Sequence, residues 1–370
     1  MDELPDLARV DLGLTAEQAE YRDVLRDLLS PASPGTAAAG PPDAESWHRL
    51  CAETGLAGAA IDPAYGGGGG GTRDLAVAFE ELGRALATVP ALSTVGLAAS
   101  ALTLSGDGEA MERWLPPIAE GHLTATVVWP DGTDRLVAEP LGGDRHRIDG
   151  TAAFVLDGST ADLLIVAARA GASGTVLLAV DPGGQSGVVR EPLPTFDLTR
   201  PFAAVTFRAA TGTLVGRADD ADQVLAGTLD RARVHLAAEQ LGGAAACLES
   251  AVAYARTRVQ FGRAIGSFQA VKHKCADMLV AVETTRTAVR YAAWAADNAP
   301  GLLPAAAAMA QAEASRSFLL AASENLQIHG GLGFTWEHSA HLYLKRAKSM
   351  AVFLGGPRDH HRALAGHLGL

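Results

Sequence analysis

The sequence predicts an α+β chain in three parts: a helical N-terminal unit, a middle unit of short strands forming an antiparallel barrel or sandwich, and a helical C-terminal unit. Two changes of pattern carry this expectation. Apolar residues recur at helical spacing up to about residue 118, give way to short β-branched runs, and return to helical spacing from residue 220. The strands have no long helices between them and none is followed by GxGxxG, so a doubly wound dinucleotide-binding sheet is not indicated. The expected limits are 1–118, 119–219 and 220–370.

In the first part, Leu14 to Leu29 places Tyr21, Val24, Leu25 and Leu28 at helical spacing, and Asp74 to Leu86 puts Leu75, Ala78, Phe79 and Leu82 on one face. Between them lie six consecutive glycines, Gly66 to Gly71. No GK[ST] follows the run, so it reads as a flexible interhelical loop rather than a phosphate cradle. In the middle part, Thr124–Trp129, Leu163–Ala168, Thr175–Val180 and Ala203–Phe207 read as strands. Turn signals such as Asp157-Gly158 and Asp181-Pro182-Gly183-Gly184 punctuate them. In the last part, long helices are expected over about 220–257, 267–298 and 304–329. The alanine-rich run from Pro304 to Ala322 carries Met309, Phe318 and Leu319, which makes it a closely packed helix rather than low-complexity chain.

Composition narrows the classes of function. With 48% hydrophobic and 19% charged residues, the chain can bury a large core. A net charge of −12 argues against nonspecific nucleic-acid binding and against docking on an anionic membrane. With no signal core and no long apolar run, a soluble cytoplasmic protein is the expectation. Cys51, Cys247 and Cys275 are far apart and read as reduced thiols, buried or half-buried. His360 and His361 are adjacent, but no ligand spacing such as HExxH occurs, and no metal is expected.

Two motifs carry a family resemblance. Arg256 to Met278 reads RTRVQFGRAIGSFQAVKHKCADM, and Gln327 to Glu337 reads QIHGGLGFTWE. They resemble the two acyl-CoA dehydrogenase signatures, R-x-Q-F-G-x-x-I-x-x-F-Q and Q-x-x-G-G-x-G-F, in the right order. Weaker echoes (GLAGAAIDPAYGG, FEELGRAL and DGTAAFVLDG) extend the likeness over nearly the whole chain. The resemblance implies that family's fold, with a C-terminal four-helix bundle, and a flavoprotein oxidoreductase acting on CH–CH groups. It implies FAD held across a subunit interface by Arg258, Gln260, Phe261, Phe268, Gln269, Gln327, Gly330 and Gly331, hence a homo- or hetero-oligomer, dimer or tetramer. Physical chemistry agrees: Arg258 offers a permanent cation with several donors for a pyrophosphate, and Gly330 and Gly331 let backbone approach a cofactor. Taken singly, Arg258 and Gln260 read equally as solvated helix-end residues. Phe154 matches a position often held by tryptophan beside the flavin ring, with a core phenylalanine as the other reading. The resemblance also places Arg233 and Asp230 near substrate.

The chain departs from the pattern where the chemistry is expected. Dehydrogenation of an acyl thioester needs a base for the α-proton while the flavin accepts hydride from the β-carbon. Most relatives keep a glutamate in Y-E-G-T after the second signature; here the run is Phe353-Leu354-Gly355-Gly356. A minority keep it at the position of Ala232. Both places are empty. Glu239, in an apolar AAEQLGG run, lies two turns after Ala232, roughly 10 Å along the axis. It is either a substitute base or the partner of an arginine on a neighbouring helix. The loop that usually reads T-E-P-G-x-G-S-D is Trp129-Pro130-Asp131-Gly132-Thr133-Asp134, which puts independent FAD binding in question and leaves Trp129 to stack on flavin or to plug the gap.

The leading expectation is therefore FAD-dependent α,β-dehydrogenation of an acyl-CoA or acyl-carrier-protein thioester, with Glu239 as base and an acceptor such as an electron-transfer flavoprotein. One alternative is a half-site subunit of a heteromeric acyl-CoA dehydrogenase. A second is a flavin monooxygenase or oxidase on the same fold.

Overall fold

A computed structural model describes residues 10–29, 44–130, 135–171, 174–184, 187–367 and 369. The first helical unit holds α1 (Ala16–Leu28), α2 (Ala44–Thr54), α3 (Thr72–Arg84), a π-helical turn over Leu92–Ala99 that runs into α4 (Ser100–Ser105), and α5 (Gly108–Ala119). α1 starts at a capping box: the Gln18 N–H donates to Thr15 Oγ1 at 3.1 Å and the Thr15 N–H to Gln18 Oε1 at 3.2 Å. The segment from Leu92 to Ala99 is buried all round, so it has no amphipathic period for sequence reading to find.

The glycine run is not a flexible connector. Gly68 and Gly70 donate to Gly58 O and Ala59 O, each at 2.8 Å, which fastens the loop to residues 58–61. A Cβ on Gly67 would lie 2.1 Å from the Ile61 carbonyl oxygen. The glycines serve close backbone approach rather than freedom of movement.

The middle unit contains β1 (Ala125–Val128), β2 (Arg135–Gly142), β3 (Arg145–Leu156), β4 (Leu163–Arg169), β5 (Thr175–Val180), β6 (Val188–Pro192) and β7 (Phe202–Val215). The sheet runs β1-β4-β2-β3-β7-β5, and β5 pairs back onto β4, closing a barrel with β6 on its β7 side. The antiparallel expectation needs one correction. β1 runs parallel to β4, with Ala125 opposite Leu163, and β2 touches β4 in the same sense. The β2–β3 hairpin lies between β1 and β4 in sequence and is long enough to return the chain in the same direction. Leu164, Val166 and Ala168 face the barrel core, while Leu163, Ile165 and Ala167 face the helical core. Burial on both faces explains why β4 reads as an unbroken apolar run.

The C-terminal unit packs α6 (Ala221–Thr257), α7 (Gln269–Asn298), α8 (Leu303–His329), α9 (Ala340–Met350) and α10 (Pro357–His367), with a short hairpin, β8 (Val259–Gln260) and β9 (Arg263–Ala264), between α6 and α7. Glycine and alanine allow close crossings here. A Cβ on Gly242 of α6 would meet the Glu80 carbonyl oxygen of α3 at 1.7 Å, and one on Gly83 would meet the Glu239 carbonyl oxygen at 1.8 Å. The two helices thus touch backbone to backbone, and Glu239, one turn before Gly242, is carried deep into the molecule. Among the described residues no helix is long and apolar enough to cross a membrane.

Because neither backbone can retreat cheaply, Gly242→Ala is expected to cost about 2 kcal/mol or more in urea denaturation. Gly301→Ala, with nothing within 4 Å of the added carbon, is expected to stay within about 0.5 kcal/mol of the parent.

Candidate active site

A cavity of about 900 Å³ opens between the barrel and the C-terminal helices. Its walls include Trp129, Phe154, Phe202, Arg233, Lys348, Phe353 and Leu354. Several positions nominated from sequence therefore meet in one place. Phe154 is 67% exposed and lines the cavity, so it is not a core phenylalanine. Trp129 packs against Phe353 with ring centroids 6.3 Å apart, and Phe202 meets Phe353 edge-on at 5.3 Å. The rest of the altered loop, 131–134, lies outside the described residues.

The turn that carries Leu354 is pinned from several sides. Arg233 Nε donates to the Leu354 carbonyl at 3.3 Å, and its Nη1 pairs with Asp230 at 2.6 Å. The His360 ring nitrogen Nε2 bonds the Gly355 carbonyl at 2.9 Å, and the Gly356 N–H donates to Asp359 at 3.1 Å. Leu354 itself sits at φ +61°, a left-handed conformation that costs a branched residue roughly 1–2 kcal/mol. Its buried side chain offers no proton acceptor, and Ala232 is wholly buried as well.

Glu239 is elsewhere. It is 4% exposed and does not line the cavity. Its Oε1 accepts from Arg200 Nη2 at 2.5 Å and from Arg346 Nη1. Burial alone would raise its pKa, but the charges and hydrogen bonds of Arg200 and Arg346 outweigh that and hold the carboxyl below its ordinary range. A carboxylate tied to two guanidiniums is a poor proton acceptor. The geometry gives Glu239 the arginine partners of the other sequence reading, one from α9 and one from the loop before β7.

The network reaches further. Arg346 Nε lies 3.1 Å from Asp197 and donates to Thr199 Oγ1 at 2.8 Å, and its Nη2 donates to the carbonyls of Thr199 and Ala87 at 2.8 and 3.2 Å. Nearby, Ser93 Oγ donates to Asp157 at 2.5 Å. Burial, offset in part by Ser93 and the arginines, moves the Asp157 pKa up from 3.8 to about 6. Sequence reading missed Asp157, Asp197, Arg200 and Arg346. The available signal was a pair of opposite charges, Glu239 and Arg346, each on the buried side of a helix.

The other nominated residues form a separate surface. Arg258, Gln260, Phe261 and Gln269 are exposed around the β8–β9 hairpin, Gln327 and Gly331 are exposed at the end of α8, and Gly330 is half-buried there at φ +59°. None of them lines the cavity that holds Phe154. Phe261 is 91% exposed, with Val259, Phe334 and Trp336 also uncovered, an apolar surface of the kind that partners cover. Phe268 is occupied by Arg263, whose guanidinium lies 4.1 Å above its ring. Among the described residues the Arg258 guanidinium makes no ion pair, and it is exposed to solvent. The residues nominated for the flavin ring and those nominated for the phosphates are therefore not brought together within one chain.

Glu239→Gln leaves the two buried guanidiniums with Asp197 as their one remaining anion and is expected to cost about 3–5 kcal/mol in urea denaturation. Replacing Glu239 and Arg346 together by glutamine is expected to cost less than Glu239→Gln alone, since Arg200 and Asp197 then remain as one buried charge of each sign. For Asp157 the native state binds a proton more readily than the unfolded chain, so its contribution to stability improves as pH falls from about 6 toward 3.8. Asp157→Asn is expected to remove that dependence, read from denaturation midpoints of both proteins between pH 4 and 7.

Comparison with known proteins places this arrangement. The model for the acyl-CoA dehydrogenase N-terminal domain matches residues 15–122, and that for the acyl-CoA dehydrogenase C-terminal domain matches residues 223–367. Acyl-CoA dehydrogenase IpdE2 of Mycolicibacterium smegmatis is 38% identical over 323 residues, 87% of either chain. Acyl-CoA dehydrogenase FadE34 of Mycobacterium tuberculosis is 34% identical over 357 residues, which is 93% of this chain and 47% of that one. Among solved structures, a chain of the ChsE4–ChsE5 complex from Mycobacterium tuberculosis superimposes with a TM-score of 0.88 at 28% identity, covering 97% of this chain and 99% of its own. The helical, barrel and helical layers and the two signature segments are those of an acyl-CoA dehydrogenase, a flavoprotein oxidoreductase acting on CH–CH groups, and the chain belongs to that family.

Proposed function

We propose that this chain is the half-site subunit of a heteromeric acyl-CoA dehydrogenase acting on an acyl thioester, with FAD as the cofactor. The observation that carries this is that the described carboxylates lining or adjoining the cavity already hold partners. Leu354 stands where the family's base is expected. Glu239 is tied to Arg200 and Arg346, and Asp230 to Arg233. The two carboxylates that line the cavity among the described residues are also taken: Asp197 by Arg346 and Thr199, Asp359 by the Gly356 N–H and Arg362. Among the described residues, each of these carboxylates already holds a partner and is a poor acceptor for the α-proton.

The same reading gives the exposed signature surface a purpose. When bound, FAD would supply the acceptor for the hydride of the thioester's β-carbon. Arg258 would neutralise its pyrophosphate, and Gln260, Gln327, Gly330 and Gly331 would receive the adenosine side, on behalf of a flavin ring seated in a homologous partner that supplies the base. Within this chain, Arg233 and Lys348 place positive charge on the cavity wall, and Arg233 holds the Leu354 turn in place. The thioester carrier, CoA or a carrier protein, would meet that charge. The relatives agree in form: ChsE4 and ChsE5 were solved as a complex, and FadE34 is about twice as long as the part that matches this chain. An electron-transfer flavoprotein is the natural acceptor class for such an assembly.

Purifying the chain alone and with a co-encoded homologue tests this. The lone chain is expected to hold little flavin and to show no bleaching by an acyl-CoA panel, whereas the pair is expected to hold flavin and bleach. Arg258→Ala in this chain is expected to weaken flavin retention by the pair about tenfold or more, measured by absorbance after dialysis. Stoichiometric flavin in the lone chain, bleached by acyl-CoA, would overturn the proposal.

A further inference from the structure

Arg231 and His235 lie four residues apart on α6 and point away from the Leu229–Arg233 stripe that faces the large cavity. They line a second, smaller cavity of about 190 Å³ between α6, α4 and the start of α3. Both groups lack partners. Neither ring nitrogen of His235 has a hydrogen bond, though the residue is 1% exposed and stacked on Phe79 at 4.9 Å. Burial first, and then the Arg231 charge, lowers its pKa to about 3, so the ring is neutral, with one donor and one acceptor nitrogen unmet. Arg231 is half-buried and, among the described residues, makes no hydrogen bond or ion pair. Desolvation lowers its pKa despite Asp297 and Asp230, yet a guanidinium remains charged.

Leaving a guanidinium and a buried imidazole without partners is costly unless something else satisfies them. The nearest anion at the mouth, Asp297, is engaged: its Oδ1 accepts from the Thr72 N–H at 2.8 Å and its Oδ2 from the Arg73 N–H at 3.0 Å. It makes no ion pair with Arg231. The rest of the wall divides into hydroxyls, Ser100 and Thr103, and apolar side chains such as Leu75 and Leu104. The Arg231 guanidinium, without a direct ion pair among the described residues, can take a single negative charge, and the Asp297 carboxylate at the mouth disfavours a dianion. The apolar wall calls for a hydrocarbon body. At roughly 30 Å³ per water, the space equals about six waters, enough for a short aliphatic or aromatic acid.

The geometry points to this cavity as a binding site for a small monocarboxylate, its carboxylate on Arg231 and the His235 N–H and its apolar body against Leu75 and Leu104. The site is separate from the acyl-thioester cavity and does not depend on which subunit supplies the base.

Calorimetric titration of the full chain, with its homologous partner where they co-purify, tests it with hexanoate, hexanamide and inorganic phosphate. Hexanoate is expected to bind, with hexanamide and phosphate at least about tenfold weaker. Arg231→Gln is expected to abolish hexanoate binding, and Arg233→Gln, in the other cavity, to leave it intact. Because Arg231 is uncompensated without ligand, Arg231→Gln is also expected to melt no lower than the parent. Absence of hexanoate binding, its survival in Arg231→Gln, its loss in Arg233→Gln, equal binding of hexanamide, tighter binding of phosphate, or a lower melting point for Arg231→Gln would each overturn the assignment.

Discussion

The structure turns on one buried carboxylate. Glu239 joins α6 to Arg200 of the loop before β7 and to Arg346 of α9, and Arg346 in turn bonds the Ala87 carbonyl in the chain after α3. All three layers of the fold therefore meet on two arginines, Glu239 and Asp197, two charges of either sign. The backbone crossing at Gly83 and Gly242 delivers Glu239 to that point. Such a cluster, once assembled, tolerates loss of one member badly, because each remaining charge has no route to water.

That constraint divides structure from chemistry. Glu239, the acid nominated as a substitute base, is bound by two arginines in that assembly. The cavity, by contrast, is furnished for binding: an aromatic group of Trp129, Phe202 and Phe353, an exposed Phe154, and positive charge from Arg233 and Lys348. The signature residues on the far surface are likewise furnished for binding and uncovered, with Phe261 projecting from the hairpin. A chain equipped to bind on two separate surfaces, but with its carboxylates committed, is suited to work as part of a larger assembly.

Much of the fold was legible in the sequence. The long helices announced themselves by period and by punctuation: α6, α7 and α8 begin and end within two residues of the expected limits. β4 and β5 were legible because their apolar runs are bounded by turns. β2 was missed because its outer half is exposed and contains Pro140, which breaks the β-branched pattern. The π-helical turn was missed because burial on every side erases periodicity. At the site, motif residues could be named, but not their separation onto two surfaces. Glu239 lies 39 and 107 residues from its arginine partners, a distance at which no local pattern links them. The glycine run misled for a related reason: glycine marks close approach as readily as freedom, and only the Ile61 carbonyl opposite Gly67 distinguishes the two.

The most direct measurement is the rate of flavin reduction by acyl thioester in the assembled enzyme when Glu239 and Arg346 of this chain are both replaced by glutamine, which keeps the remaining buried charges, Arg200 and Asp197, in balance. With Glu239 as a structural anion, the folded double variant bleaches at the parent rate with the parent pH profile. A fall of about a thousandfold or more in that rate, in a variant that keeps its flavin, would make Glu239 the base and contradict the account.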